Sequence, residues 1–219
     1  MLNLDVVVIV IILANVLISL KGLNDFSFFE RYKFNIGGIR RGEQLRMLAS
    51  GFLHVDIMHL FFNMFTLYFF APDVIENLGN VQFLIIYFGS LLLGNLFSLF
   101  FHKDEYHYSA VGASGAVSGV LYSSILIFPE KKLYFAFLPF ENFGIKGYLF
   151  GVAYLLYSIY GMKNRTGNIG HDAHFGGAVG GYIITLIFAP FLFKENLLMI
   201  GLLAIPIIIL FVMQRLGKL

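Results

Sequence analysis

Gly112-Ala113-Ser114-Gly115-Ala116-Val117 opens an apolar stretch near the middle of the chain, and Ala173-His174-Phe175-Gly176-Gly177 opens another sixty residues after the serine. One hydrophobic segment lies between them. If all three are membrane helices, the first and third run in the same direction. Ser114 and His174 then stand at the same end of their helices and at the same depth. A nucleophile and its general base need that placement. Polar groups inside lipid are expensive, so their presence there points to function.

Composition supports the bilayer. Of 219 residues, 58% are hydrophobic and 13% charged, with a mean hydropathy of +0.80, whereas a soluble domain carries about 25% charged residues. Apolar content on this scale does not fit one soluble core and takes lipid as the solvent for much of the surface. The net charge is +2 with no dense basic block, so nucleic acid is not an expected partner. Cysteine is absent, which excludes disulfides and thiolate metal sites.

Seven candidate spans follow, at about 4–20, 52–72, 81–101, 113–129, 146–161, 173–193 and 196–213. The runs are continuous rather than alternating, which argues for helices and against a closed barrel. The first run, Leu4 to Leu20, lacks a basic leader and a small-residue cleavage site, so a retained helix is expected. Pro190 and Pro206 are expected to end or kink the last two spans. Residues 21–51 mix Phe26, Phe28, Phe29, Tyr32 and Phe34 with Glu30, Arg31, Lys33, Arg40 and Arg41. That mixture reads as an interfacial first loop, apolar side down and basic side in the headgroups, rather than a solvated one.

The candidate chemistry rests on three groups. A serine hydroxyl needs a base to take its proton. Gly112 and Gly115 leave room for a carbonyl to approach Ser114, and the helix start offers free N–H groups to an oxyanion. Alone, small residues at a helix start are more often packing or capping devices. His174 changes that balance. Gly176, Gly177, Gly180 and Gly181 follow it in two overlapping Gly-x-x-x-Gly pairs, and Gly115 and Gly119 repeat the spacing. If those faces pack together, Ser114 and His174 meet. The third group lies in His54-Val55-Asp56-Ile57-Met58-His59-Leu60-Phe61-Phe62-Asn63. His59 and Asn63 share a helical face, and both can donate hydrogen bonds to an oxyanion.

Asp172, two residues from His174, falls on another side of the helix, and Asp56 serves locally. A Ser–His dyad is therefore expected, without a third carboxylate member. His54, His59, His171 and His174 could offer zinc ligands. No His-Glu-x-x-His segment or carboxylate base accompanies them, and a zinc site leaves Gly112–Gly115 without a role. No metal or other cofactor is expected.

Taken together, these segments resemble the rhomboid family of intramembrane serine proteases over about residues 43–182. The match includes Glu43-Gln44-Leu45-Arg46, the His54/His59/Asn63 segment, Gly112–Gly115, and Ala173-His174 with its glycines. The resemblance implies an all-α polytopic membrane protein with a six-helix core (1–193) and one additional C-terminal transmembrane helix (194–219). It implies Ser114 as nucleophile and His174 as general base. His59, Asn63 and the Ser114 backbone N–H would form the oxyanion hole, and His54 would be structural or near the site. Arg46 would match the arginine of the family's Trp-Arg pair, with Leu45 in the tryptophan's place. Ser118, one turn after the nucleophile, stands where many members carry an aromatic, so the surface on which His174 stacks is open. Lateral entry past the fifth helix is implied, with Lys163–Asn168 in a cap over the site.

The expected function is cleavage of membrane proteins within a transmembrane segment, in the plasma membrane. The main rival is a non-catalytic relative that binds or escorts transmembrane clients. A proton-relay transporter predicts paired acidic residues within the spans, and these are nearly absent. The resemblance places the N-terminus in the cytoplasm and the site outside. That layout leaves 11 Lys/Arg in outside segments and four inside, against the positive-inside tendency.

Overall fold

A computed structural model describes residues 5–134, 144–167 and 169–219. Its frame is seven long helices: α1 (Val6–Asn24), α2 (Ile57–Leu78), α3 (Asn80–Phe101), α4 (Ser114–Ile127), α5 (Gly147–Asn164), α6 (His171–Phe188) and α7 (Leu197–Arg215). Local chemistry sets their starts. Asp5 caps α1 by accepting from Val7 N, and Asp56 caps α2 by accepting from His59 N, each satisfying an orphan helix donor. Gly79, at φ +93°, joins α2 to α3 in a one-residue reversal that a side chain would strain. Ala189 ends α6 just before Pro190, and Pro206 lies inside α7. Pro72 lies inside α2, where it removes one ladder hydrogen bond.

The expected spans all appear as helices, and their exposure sorts them. α1, α2, α3 and α7 are long and apolar enough to cross a membrane. α1 and α7 are the least buried of these four, so they form the lipid-facing outside. α4 and α6 are shorter or richer in glycine and histidine, because their neighbours are mostly protein, while α5 keeps one face on the bundle and turns Leu149, Leu156, Tyr157 and Tyr160 outward. Every residue of α4 from Gly115 to Ile127 is buried.

Small residues bring α3, α4 and α6 together. A Cβ on Gly177 would overlap the Gly115 carbonyl oxygen, and one on Gly181 would overlap that of Gly119. A Cβ on Gly94 of α3 would lie 2.6 Å from the Ala173 carbonyl oxygen. In lipid, close packing of this kind is a main source of helix association, because apolar burial itself offers little. α4 is shared by two apolar clusters. Val117 and Val120 join residues of α1, α2 and α3, while Leu121 and Ile125 join α5, α6 and α7.

Residues 21–51 are largely folded into short elements. α1 runs on to Asn24, and short helices follow at Phe26–Tyr32, Ile36–Arg40 and Arg46–Ala49. Phe34, Ile36, Ile39 and Met47 form a small core of their own with Leu99, Tyr108 and Ala110. The strand β1 (Phe34–Asn35) pairs antiparallel with β2 (Ser109–Ala110), just ahead of Ser114. Of the five aromatics expected to dip into the interface, Phe34 is buried in this core and only Phe26 is fully exposed. A second ribbon pairs β3 (Lys132–Tyr134) with β4 (Gly144–Lys146) at the opposite end of the bundle.

Candidate active site

Ser114 is the first residue of α4 and the one residue of that helix not buried. The helix has no side-chain N-cap, so its first N–H groups are free to receive an anion. At 14 residues, α4 is about 21 Å long, against about 30 Å of hydrocarbon.

Two backbone bonds hold the approach to Ser114. Gly112 N donates to the Ser50 carbonyl at 3.0 Å. Ala113 N donates to Nε2 of His54 at 3.4 Å. The other His54 nitrogen, Nδ1, lies 2.8 Å from the Ser19 hydroxyl, which itself donates to the Phe52 carbonyl. Nδ1–H is therefore the donor and Nε2 the acceptor. His54 is wholly buried and ties α1 to the serine turn. Its partner Ser19 has no sequence signature.

Gly112 adopts φ +129°, a conformation that favours glycine. A Cβ there would lie 2.9 Å from Nε2 of His59 and 3.7 Å from the Ser114 hydroxyl. Gly112 thus lets the His59 ring and the serine approach one small space. Asn63 lies one turn along α2, buried, its amide donating one bond to the His59 carbonyl at 3.0 Å. The second amide hydrogen is left for another acceptor.

His174 lies in the first turn of α6, half-buried. The residues beside the pair touch: a Cβ on Gly115 would lie 3.3 Å from the Ala173 carbonyl oxygen. Ser114 and His174 consequently stand at one level on parallel helices in direct backbone contact. Among the described residues no hydrogen bond joins their side chains, as is common in unliganded sites that tighten when substrate binds. The His174 ring is parallel to that of Tyr154 on α5, with centroids 6.1 Å apart and planes inclined at 16°. The stacking surface left open by the sequence is therefore carried by α5.

A family model for the rhomboid domain matches residues 41–191. The chain belongs to the rhomboid family. Among its relatives, RHOMBOID-like protein 12, mitochondrial, of Arabidopsis thaliana is 28% identical over 191 residues, covering 80% of this chain and 55% of the relative. YdcA of Bacillus subtilis, provisionally named a rhomboid protease, is 28% identical over 152 residues, 68% of this chain and 70% of the relative. The human presenilin-associated rhomboid-like protein, mitochondrial, is 32% identical over 136 residues, 62% of this chain and 35% of the relative. The chain thus spans little more than half of the plant protein and about a third of the human one.

Within this rhomboid fold, Arg46 organises the first loop. Its guanidinium donates to the Glu30 and Lys33 carbonyls at 2.8 Å each and to Glu43 at 2.5 Å. Arg46 pulls the Glu43 carboxyl below the usual carboxylate range by that hydrogen bond. Leu45 is exposed, on the outside of the loop.

Asp172 turns away from His174, as its position implies, and meets a group the sequence did not single out. Its carboxylate lies 3.7 Å from Nε2 of His102, whose Nδ1 lies 3.1 Å from Glu105. Arg165, beyond the end of α5, pairs with Glu105 at 3.0 Å. The His102 ring stacks on Tyr108 with centroids 3.6 Å apart. Burial opposes charge on His102, but Asp172 and Glu105 outweigh it and hold the ring above its ordinary value. A raised value favours the charged form in the folded state. The added stability is complete below the ordinary histidine value of about 6.5 and is lost as pH rises through the folded one. Melting temperature in detergent is expected to fall between pH 6 and 8.5 in the wild type. His102→Gln should flatten that slope; an unchanged slope would assign it to other groups.

Of the expected cap Lys163–Asn168, Asn168 lies outside the described residues, as does Leu4 of the first span. α5 continues through Asn164, and Arg165 takes a left-handed conformation at φ +50°.

Proposed function

We propose that this rhomboid-family chain is an intramembrane serine endopeptidase acting through a Ser114–His174 dyad. The carrying observation is the one unburied residue of α4: a serine at an uncapped helix start, level with a histidine on a helix in backbone contact. Ser114 Oγ attacks a peptide carbonyl carbon of a transmembrane substrate while His174 takes its proton. The oxyanion receives hydrogen bonds from the Ser114 N–H, His59 and Asn63. The C–N bond then breaks, and His174 returns the proton to the leaving amine. Water, deprotonated by His174, releases the acyl group and restores the serine. A substrate helix must unwind locally to present its peptide bond, so helix-destabilising residues near the scissile bond favour cleavage.

The test is a single-span reporter reconstituted with the protein in vesicles, with a fluorophosphonate probe for Ser114. Cleavage and labelling are expected together. A protein that binds the reporter but neither cleaves it nor takes up the probe would instead fit the client-escort reading. Asn63→Ala and His59→Ala are each expected to lower kcat by about 100- to 1,000-fold while the probe-free protein keeps its melting temperature. Wild-type kcat in both variants would remove them from the oxyanion hole.

We propose residues 1–193 as the catalytic unit, with α7 as an addition. The proposed orientation puts the N-terminus in the cytoplasm and the site outside. Five of the outside cations are paired, Lys21 with Asp25, Lys33 with Glu30, Arg41 and Arg46 with Glu43, and Arg165 with Glu105, but acidic partners contribute little to the positive-inside tendency, which still opposes this orientation. The relatives do not favour the plasma membrane expected from the sequence, since the plant and human proteins carry mitochondrial names. Fractionation of a tagged chain from its own cells decides the membrane.

A further inference from the structure

α5 meets the centre of the bundle through few polar contacts, and they are regularly placed. The hydroxyls of Ser118 on α4 and Tyr154 on α5 share a hydrogen bond at 2.6 Å. One turn further along α4, the Tyr122 hydroxyl donates to the Gly151 carbonyl of α5, also at 2.6 Å. The two antiparallel helices are therefore joined by two hydroxyl rungs. α5 otherwise presents Leu149, Leu156, Tyr157 and Tyr160 to the outside. Its upper end meets α6 through both histidines of that helix. Tyr157 stands edge-on to His171 with centroids 5.3 Å apart, and Tyr154 lies parallel to His174.

We infer that Tyr154, clasped through its hydroxyl to Ser118, is the positioning residue for His174, so that the base is seated only while α5 is docked against α4. This rests on the dyad reading above. Ser118 is small enough to leave the space beneath the serine to a ring arriving from the neighbouring helix. Its hydroxyl fixes that ring laterally, and the ring face limits how His174 can turn. Movement of α5 away from α4 breaks the clasp and removes the stacking face in one step. The helix bordering the site thereby sets whether Ser114 has a working base. Tyr154 exchanges no proton with substrate, and its effect is wholly on the placement of His174.

Three variants test this, each checked for a wild-type melting temperature: Tyr154→Leu, Tyr154→Phe, and the double variant Ser118→Tyr/Tyr154→Leu, which returns a ring to α4. The readouts are the rate at which a fluorophosphonate labels Ser114, and kcat and KM on a single-span reporter. A positioned general base contributes about 100-fold or more, so Tyr154→Leu is expected to slow labelling and lower kcat by about 100-fold with KM little changed. Tyr154→Phe keeps the ring and loses the clasp, so it should fall between wild type and Tyr154→Leu. The double variant should recover most of the labelling rate. Wild-type labelling in Tyr154→Leu overturns the inference while leaving the dyad standing. Equal labelling by the Phe and Leu variants also overturns it, and that comparison decides the matter if the double variant does not fold. A wild-type protein that labels nowhere sinks the dyad itself, and the positioning role with it.

Discussion

Ser114→Ala is expected to abolish fluorophosphonate labelling and to lower reporter cleavage by on the order of 10⁴-fold or more. His174→Ala should do nearly the same, and the double variant should be no worse than either alone. The reason is that the two side chains act as one unit. The hydroxyl is inert without a base, and the base has no other proton to take. Grossly non-additive losses are the signature of such a unit, whereas two residues that merely pack against each other would lose stability in proportion to contacts removed. The half-buried setting of both residues makes the expected stability cost small, because neither fills the close-packed interior of α4 or α6. Melting temperatures of the single variants within a few degrees of wild type would complete the case. Cleavage by Ser114→Ala at the wild-type rate would end the serine-protease reading.

Much of this site was legible because it depends on order and period along single helices. Ser114 and His174 open parallel spans, and the four-residue spacing of Gly115/Gly119 and of Gly177/Gly181 marks the faces that touch. His59 and Asn63 share a face for the same reason. The parts that single-helix patterns do not carry depend on register between distant helices. Tyr154 is one of several tyrosines on α5, and only its height relative to Ser118 makes it the partner of His174. His102 looks like a polar residue ending a span. Its role emerges when the first turn of α6 brings Asp172 beside it. Ser19, near the end of the first apolar run, carries no signal that it receives a hydrogen bond from His54. The small core of the first loop is hidden in the sequence for a related reason. Its aromatics alternate with charges as an interfacial segment would, and the buried Phe34 and Met47 pack against Leu99 and Tyr108, contributed by a distant part of the chain. Composition registers that a residue is apolar, not whether lipid or protein covers it.

Gly177→Ala is expected to lower kcat by about 100-fold, the usual penalty for a misplacement of about 1 Å, and to destabilise the fold by about 1–3 kcal/mol, the usual range for overpacking. The added methyl would overlap the Gly115 carbonyl oxygen, with the Gly115 Cα 2.9 Å away. Both are backbone atoms of a buried helix. No rotamer change can make room, so α6 must move off α4. That contact sits one residue past Ser114 and three past His174, so the movement separates the dyad directly. Gly201→Ala on α7 is the matched control, because a Cβ there meets nothing within 4 Å. It should stabilise its helix by about 0.5–1 kcal/mol at most and leave cleavage unchanged. The comparison isolates helix approach from the general preference of helices for alanine. If Gly177→Ala keeps both wild-type kcat and wild-type melting temperature, α4 and α6 do not meet through this face, and the shared depth of Ser114 and His174 would no longer bring them together.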